Sequence, residues 1–217
     1  MPVASSEETS ASHADRVALF GGTFDPPHCG HIAIARAAAD AFRLDKVLFA
    51  PVARQPLKAG TTATSFDDRL AMVQLACADD LRFEASTIDA PRPGNAPNYT
   101  IDTLETLRRR MPSATLFNLV GADSFLTLPQ WHEHDRLLTL AQWIVVSRPG
   151  YPLSDAAIQR LAAQAPGRIH LLDTVHEDVA ATELRRRIEQ GESVGDLVGT
   201  GVAAYIRQHN LYTIPSS

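Results

Sequence analysis

The chain has 217 residues, of which 45% are hydrophobic and 21% charged, and carries a formal net charge of −5. That length fits one domain, or one with a small appendage, and the negative balance argues against a protein held on nucleic acid by phosphate contacts. With only Cys29 and Cys77 there is no disulfide framework, which points to a reducing, cytoplasmic compartment, and no apolar run reaches the ~18 residues of a membrane span.

Residues 1–15 are rich in Ser, Ala and Glu and lack an apolar stretch, so a disordered tail is expected there rather than a signal peptide. From residue 16 short apolar runs alternate with helical patterns. A strand is expected at 17–20, a helix at 28–42, a strand at 47–50 and a helix at 67–77, with Ser65 and Asp68 forming a capping box at the start of the last. A strand at 81–84 and a helix at 101–110, capped by Thr100, come next. Strands at 116–120 and 143–147, a helix at 154–165, a strand at 169–172 and helices at 182–190 and 202–209 follow, with Gly191 where helix 182–190 should stop. Such alternation implies βαβ units with right-handed crossovers. The expected fold is α/β: one domain over 16–214, a doubly wound, Rossmann-like parallel sheet with helices on both faces, and a small C-terminal helical part at about 180–214. Such sheets bind ligands at the carboxyl ends of their strands. The loops after Phe20, Ala50, Val120 and Ser147 are therefore the candidate site, with 52–64 a candidate lid.

Between the first strand and helix the chain reads Gly21-Gly22-Thr23-Phe24-Asp25-Pro26-Pro27-His28-Cys29-Gly30-His31. Two glycines let the backbone turn sharply and approach a ligand closely. The helix start that follows gathers free N–H groups and the positive end of the helix dipole, so the segment is an anion site. His28 and His31, three apart, share one helix face and can aim both imidazoles at that anion. The same spacing also suits a structural pair that caps the helix, or a metal site with Cys29; no matching third ligand is evident for the latter.

Thr23 followed by His28-Cys29-Gly30-His31 resembles the His-x-Gly-His signature of the nucleotidylyltransferase superfamily, and the whole stretch from Gly21 to His31 is similar to bacterial nicotinate-nucleotide adenylyltransferases. Further segments similar to that family span most of 16–214. The resemblance implies an enzyme of NAD biosynthesis that transfers AMP from ATP to nicotinate mononucleotide, giving nicotinate adenine dinucleotide and pyrophosphate. The attacking phosphate is already an anion, so catalysis reduces to positioning and charge stabilisation. His28, His31 and Arg185 are the implied catalytic residues, with His31 at the transferring phosphorus. Gly21, Gly22, Thr23, Phe24, Lys58 and Thr182 join them as the implied ATP-binding set. Val179 to Arg185 is similar to the family's late motif but departs from it at Ala180, where the family has Ser. From the residues alone, a solvated loop lysine is the alternative for Lys58, and Arg186 or Arg187 competes with Arg185.

Three more segments resemble the family: Asn98-Tyr99-Thr100, Gly121-Ala122-Asp123-Ser124 and Leu128-Pro129-Gln130-Trp131-His132. The resemblance implies a mononucleotide pocket in which Trp131 stacks on the nicotinate ring beside Tyr99. N–H groups at Thr100 and His132 bind the ring carboxylate, Asp123 holds ribose hydroxyls or orients the site, and Arg148 grips the phosphate. Core packing for Trp131 and a surface ion pair for Arg148 are the alternatives the residues leave open. Mg²⁺ is expected with ATP and no metal on the protein itself. The expected partners are ATP and nicotinate mononucleotide, without nucleic acid or membrane; self-association is left open. The rival readings are a related transferase acting on nicotinamide mononucleotide, phosphopantetheine or a sugar phosphate, and a non-catalytic nucleotide sensor.

Overall fold

The structure is a computed structural model that describes residues 14–57, 63–147, 150–173 and 179–213, so all but the end of the expected N-terminal tail lies outside the described residues. In chain order the elements are β1 (Arg16–Gly22), α1 (Cys29–Phe42), β2 (Lys46–Pro51), α2 (Phe66–Cys77), β3 (Phe83–Ala85), α3 (Thr100–Arg110), β4 (Thr115–Gly121), α4 (Ala122–Phe125), α5 (His134–Leu140), β5 (Gln142–Val146), α6 (Ala156–Ala162), β6 (Ile169–Leu172), α7 (Ala181–Glu189), α8 (Gly195–Val198) and α9 (Thr200–Gln208).

The six strands form one parallel sheet in the order β3-β2-β1-β4-β5-β6. The chain winds outward one way from β1 and the other way from β4, so the connections diverge between these two strands and open a crevice at their carboxyl ends. Period-two alternation sends Val17 and Leu19 into one core with Leu104 and Leu107 of α3 and Leu137 of α5. It sends Ala18 and Phe20 into the other, with Ala35, Ala38 and Ala39 of α1 and Val73 of α2. Burial on both faces is why β1, β2 and β5 read as nearly continuous apolar runs, whereas the edge strands β3 and β6 are only partly buried. No helix among the described residues is long and apolar enough to cross a membrane.

A third core holds the C-terminal helical part. Leu184 of α7, Val198 of α8, and Val202, Ala203 and Ile206 of α9 close around Met72 of α2. The Tyr205 hydroxyl donates to Asp68 Oδ1 at 3.0 Å, a second tie to α2. α7 stops as Gly191 predicts: Gly191 takes φ +76°, its N–H donates to Ile188 C=O, and Glu192 N–H donates to Arg187 C=O, both at 2.9 Å.

Helix starts follow local chemistry with three corrections. Ser65 accepts from Asp68 N–H at 3.1 Å, as expected. α3, however, has Tyr99 and not Thr100 at its N-cap, because Asn98 and Arg54 exchange two 3.0 Å hydrogen bonds that hold the chain one residue earlier. α7 has Ala180 at its N-cap, which places Thr182 inside the first turn. α6 starts later than 154, since Asp155 caps it by accepting from Ala157 N–H at 2.7 Å, and it ends at Ala162 rather than 165. The short helices α4, α5 and α8 are too brief to show a full amphipathic period in sequence.

Candidate active site

The crevice floor is the loop from Gly21 to His28. Gly21 is exposed, and a Cβ built on it would meet nothing within 4 Å. Gly22 has the opposite surroundings: its Cβ would stand 2.9 Å from Phe24 Cζ. Phe24 adopts a left-handed backbone (φ 51°) that folds its ring back under the loop. The ring is 2% exposed and packs against Phe20, Phe49 and His31. Its side chain is therefore core, and only the Phe24 backbone borders the crevice.

His28 is the N-cap of α1 and His31 its third residue. Their ring centroids are 3.7 Å apart, so the shared face expected from the spacing is present. The two are not equivalent: His28 is 3% exposed, whereas His31 is only half-buried. His28 N–H donates to His31 Nδ1 at 3.2 Å. With Nδ1 accepting, the neutral His31 ring carries its proton on Nε2, a donor turned away from the backbone. The capping and anion-binding readings of the pair are thus compatible, because one ring nitrogen serves each.

Arg185 reaches this loop from the far end of the chain. Its Nη1 donates to Asp25 C=O at 2.7 Å and its Nη2 to Thr182 Oγ1 at 3.2 Å. Arg186 and Arg187 instead hold Glu183, at 2.7 and 2.9 Å, and together pull its carboxyl down to about 2. Of the three arginines, Arg185 is the one the fold brings to the loop. Lys58 and Arg148 lie outside the described residues, as do 59–62 of the candidate lid.

Two buried charged residues, Asp25 in the loop and Arg69 beneath it, carry no site role in the sequence reading. The Asp25 carboxylate, 3% exposed, accepts from Ala63 N–H at 2.6 Å and from the Thr64 and Tyr212 hydroxyls at 2.7 Å each. Arg69, 1% exposed, donates from Nη1 to Thr23 C=O at 2.7 Å and to Val52 C=O at 2.9 Å. Burial lowers the Arg69 pKa, while the nearby Asp25 charge works to hold it up. The one available signal for Arg69 was a charge on the inward face of an amphipathic helix.

Across the crevice, Asp123 stands in the first turn of α4, directly after β4. The rings of Tyr99 and His132 lie 4.6 Å apart. Thr100 opens α3, and in that first turn Asp102 N–H donates to the Tyr99 carbonyl at 3.1 Å. Trp131 is half-buried: its ring lies 5.8 Å from that of Trp143, and its Nε1–H donates to Thr127 Oγ1 at 2.9 Å. Packing and the hydrogen bond together fix the indole in one orientation. The structure thus gathers Tyr99, Thr100 and His132 on the α3–α5 side of the sheet, and the histidine pair, Thr182 and Arg185 around the glycine loop. Among the described residues no group of three or more His, Cys, Asp or Glu side chains is placed to hold a metal ion.

A family model described as Cytidylyltransferase-like matches residues 19–187, a span that holds the glycine loop, both histidines, Trp131 and Arg185. The chain belongs to this family. It is 42% identical over 196 residues to a protein of Roseiflexus sp. (strain RS-1) named "Probable nicotinate-nucleotide adenylyltransferase", covering 90% of this chain and 97% of the relative. A Thermus thermophilus protein with the same name is 39% identical over 197 residues, covering 91% and 99%. Among solved structures, Plasmodium falciparum nicotinic acid mononucleotide adenylyltransferase complexed with NaAD superposes with a TM-score of 0.74 at 16% identity, covering 91% of this chain and 97% of the other. At that identity the likeness speaks for the fold, and it is the doubly wound parallel sheet expected from the order of elements.

Proposed function

We propose that the protein transfers AMP from ATP to nicotinate mononucleotide, releasing pyrophosphate and forming nicotinate adenine dinucleotide. The observation that carries this reading is the convergence of Arg185 with the His28–His31 pair, whose ring centroids are 3.7 Å apart, on one glycine loop, in a chain about two-fifths identical to enzymes of that name. An oxygen of the mononucleotide phosphate forms a bond to the α-phosphorus of ATP. The bond from that phosphorus to the bridging oxygen breaks, and pyrophosphate leaves with the electron pair. No protein nucleophile is needed. The N-terminus of α1, His31 Nε2–H and the Arg185 guanidinium supply positive charge where negative charge gathers. Magnesium arrives with ATP as part of the substrate. Trp131 and the Tyr99–His132 pair form the nicotinate pocket, where N–H donors suit a ring carboxylate better than a carboxamide with donors of its own. The cytoplasm is the proposed compartment.

The test is pyrophosphate release from ATP with nicotinate mononucleotide, nicotinamide mononucleotide or phosphopantetheine as acceptor. The acid should be preferred over the amide by on the order of 10²-fold in kcat/KM. His31→Ala should lower kcat by roughly 10²–10⁴-fold with the fold kept. A His31→Ala protein with near-normal kcat would remove the mechanism, and a better rate with another acceptor would reassign the substrate.

A further inference from the structure

We propose that Tyr212, beyond the C-terminal end of α9, is a positioning residue of the active site that acts through Asp25 on the glycine loop and on Arg185. The proposal rests on the adenylyl-transfer reading and adds a residue far from the motifs that suggest it.

Asp25 joins four segments. Its carboxylate receives Ala63 N–H, Thr64 Oγ1–H and Tyr212 Oη–H within 2.7 Å, and its carbonyl receives Arg185 Nη1. The carboxylate is 3% exposed, so its charge is compensated by these donors and by nearby Arg69 rather than by water. The contacts on the carboxylate anchor Asp25 in place, and its carbonyl is where Arg185 rests. A lost donor on the carboxylate is therefore felt at the guanidinium.

The backbone around Tyr212 shows how the contact is reached. After α9, Asn210 takes φ 49° and closes the helix: its N–H donates to Arg207 C=O, and Leu211 N–H donates to Ile206 C=O at 3.0 Å. Tyr212 itself then takes φ 62°, a left-handed conformation costly for an aromatic residue. A second left-handed residue is not needed to end a helix. It turns the Tyr212 side chain back to the hydroxyl–carboxylate contact with Asp25. Burial and Asp25 both raise the phenol pKa, so Tyr212 remains a neutral donor at every working pH.

A comparison is built into the same helical part. Tyr205 also donates its hydroxyl to an aspartate, Asp68 of α2, but that contact does not touch the glycine loop. Tyr212→Phe and Tyr205→Phe each remove one Tyr–Asp hydrogen bond between the C-terminal helical part and the rest of the fold. Three measurements separate them: melting temperature, the Kd for Mg-ATP by calorimetry, and kcat and KM for both substrates. Tyr212→Phe should weaken ATP binding and lower kcat/KM for ATP about tenfold or more, with KM for the mononucleotide nearly unchanged. Tyr205→Phe should lower melting temperature alone. Should Tyr212→Phe fail to fold, Thr64→Val removes another donor to the same carboxylate and should show the same kinetic split. ATP Kd and kcat/KM within twofold of wild type in the folded variant would overturn the proposal, as would equal kinetic losses in the two tyrosine variants. The calorimetric arm reads ATP binding directly, so a wild-type protein that fails to use nicotinate mononucleotide would refute the functional reading without deciding this one.

Discussion

The paired glycines of the loop should respond in opposite ways to the same added methyl group. Gly22→Ala places a Cβ 2.9 Å from the Phe24 ring, which is enclosed by Phe20, Phe49 and His31 and has nowhere to move. Overpacking of this kind costs about 1–3 kcal/mol. In a domain of this size that lowers Tm by roughly 2–12 °C. Gly21→Ala meets no protein atom within 4 Å, and its φ lies outside the left-handed range. Restricting the unfolded chain should then stabilise the fold by ~0.4–1 kcal/mol, raising Tm by about 1–4 °C. Gly21 lies on the same face of β1 as Leu19, so the new methyl enters the crevice between the loop and α4. It should reduce kcat/KM about tenfold or more, the equivalent of ~1.4 kcal/mol of lost transition-state contact. Thermal melts and steady-state pyrophosphate release on the two variants suffice. A Gly21→Ala protein with wild-type kcat/KM would show that no substrate passes over this glycine, and the placement of the phosphates would fall.

Ala180 holds the N-cap of α7 with no side-chain hydrogen bond. Ala180→Ser should add a cap worth about 1 kcal/mol, seen as a Tm rise of roughly 2–4 °C, with ATP KM unchanged or lower. Trp131→Ala should raise KM for the mononucleotide and leave that for ATP nearly unchanged in two-substrate kinetics, since stacking of a pyridinium on an indole serves one substrate only. The Asp80 carboxyl is held at about 2, below its ordinary 3.8, chiefly by the Arg82 guanidinium. A depressed folded-state value contributes stability that is full above the ordinary value and lost as pH falls towards the folded one. Wild type should therefore outmelt Asp80→Asn by a constant margin from about pH 5 to 7, and the margin should shrink as pH falls from about 4 through 2. A margin as large at pH 2 as at pH 7 would contradict the assignment.

The sheet was legible because its central strands are buried on both faces and read as apolar runs between helical patterns; 169–172 has the observed limits of β6, whereas β3 lies at Phe83–Ala85 and not at 81–84, where Leu81 is fully exposed. The glycine loop and its histidines were legible because turn, helix start and spacing are local. The positions of α4 and α5 were not, since each is shorter than the pattern that would reveal it. Tyr99 rather than Thr100 caps α3 because of a contact 44 residues away, between Arg54 and Asn98, that no propensity records. Asp25 lay inside the most informative stretch of the chain, yet its donors come from positions 63, 64 and 212, and no spacing rule joins them.

On the proposed reading of the loop as an anion site, those remote contacts supply its polarity. Arg69 takes the carbonyls of Thr23 and Val52 from below, and Arg185 takes that of Asp25. In a trans peptide the N–H points opposite to the C=O. With Thr23 C=O turned to a buried guanidinium, Phe24 N–H points the opposite way, away from Arg69. Asp25 C=O is followed by Pro26, which has no N–H to place. The two arginines thus draw the negative ends of the loop's dipoles toward themselves, and Arg69 thereby turns one positive end, Phe24 N–H, the other way. On this account Arg69 shapes a phosphate site that it never touches, and Phe24 serves it through its backbone while its ring fills the core. The polarity of the loop, more than any one side chain in it, is what a triphosphate would recognise.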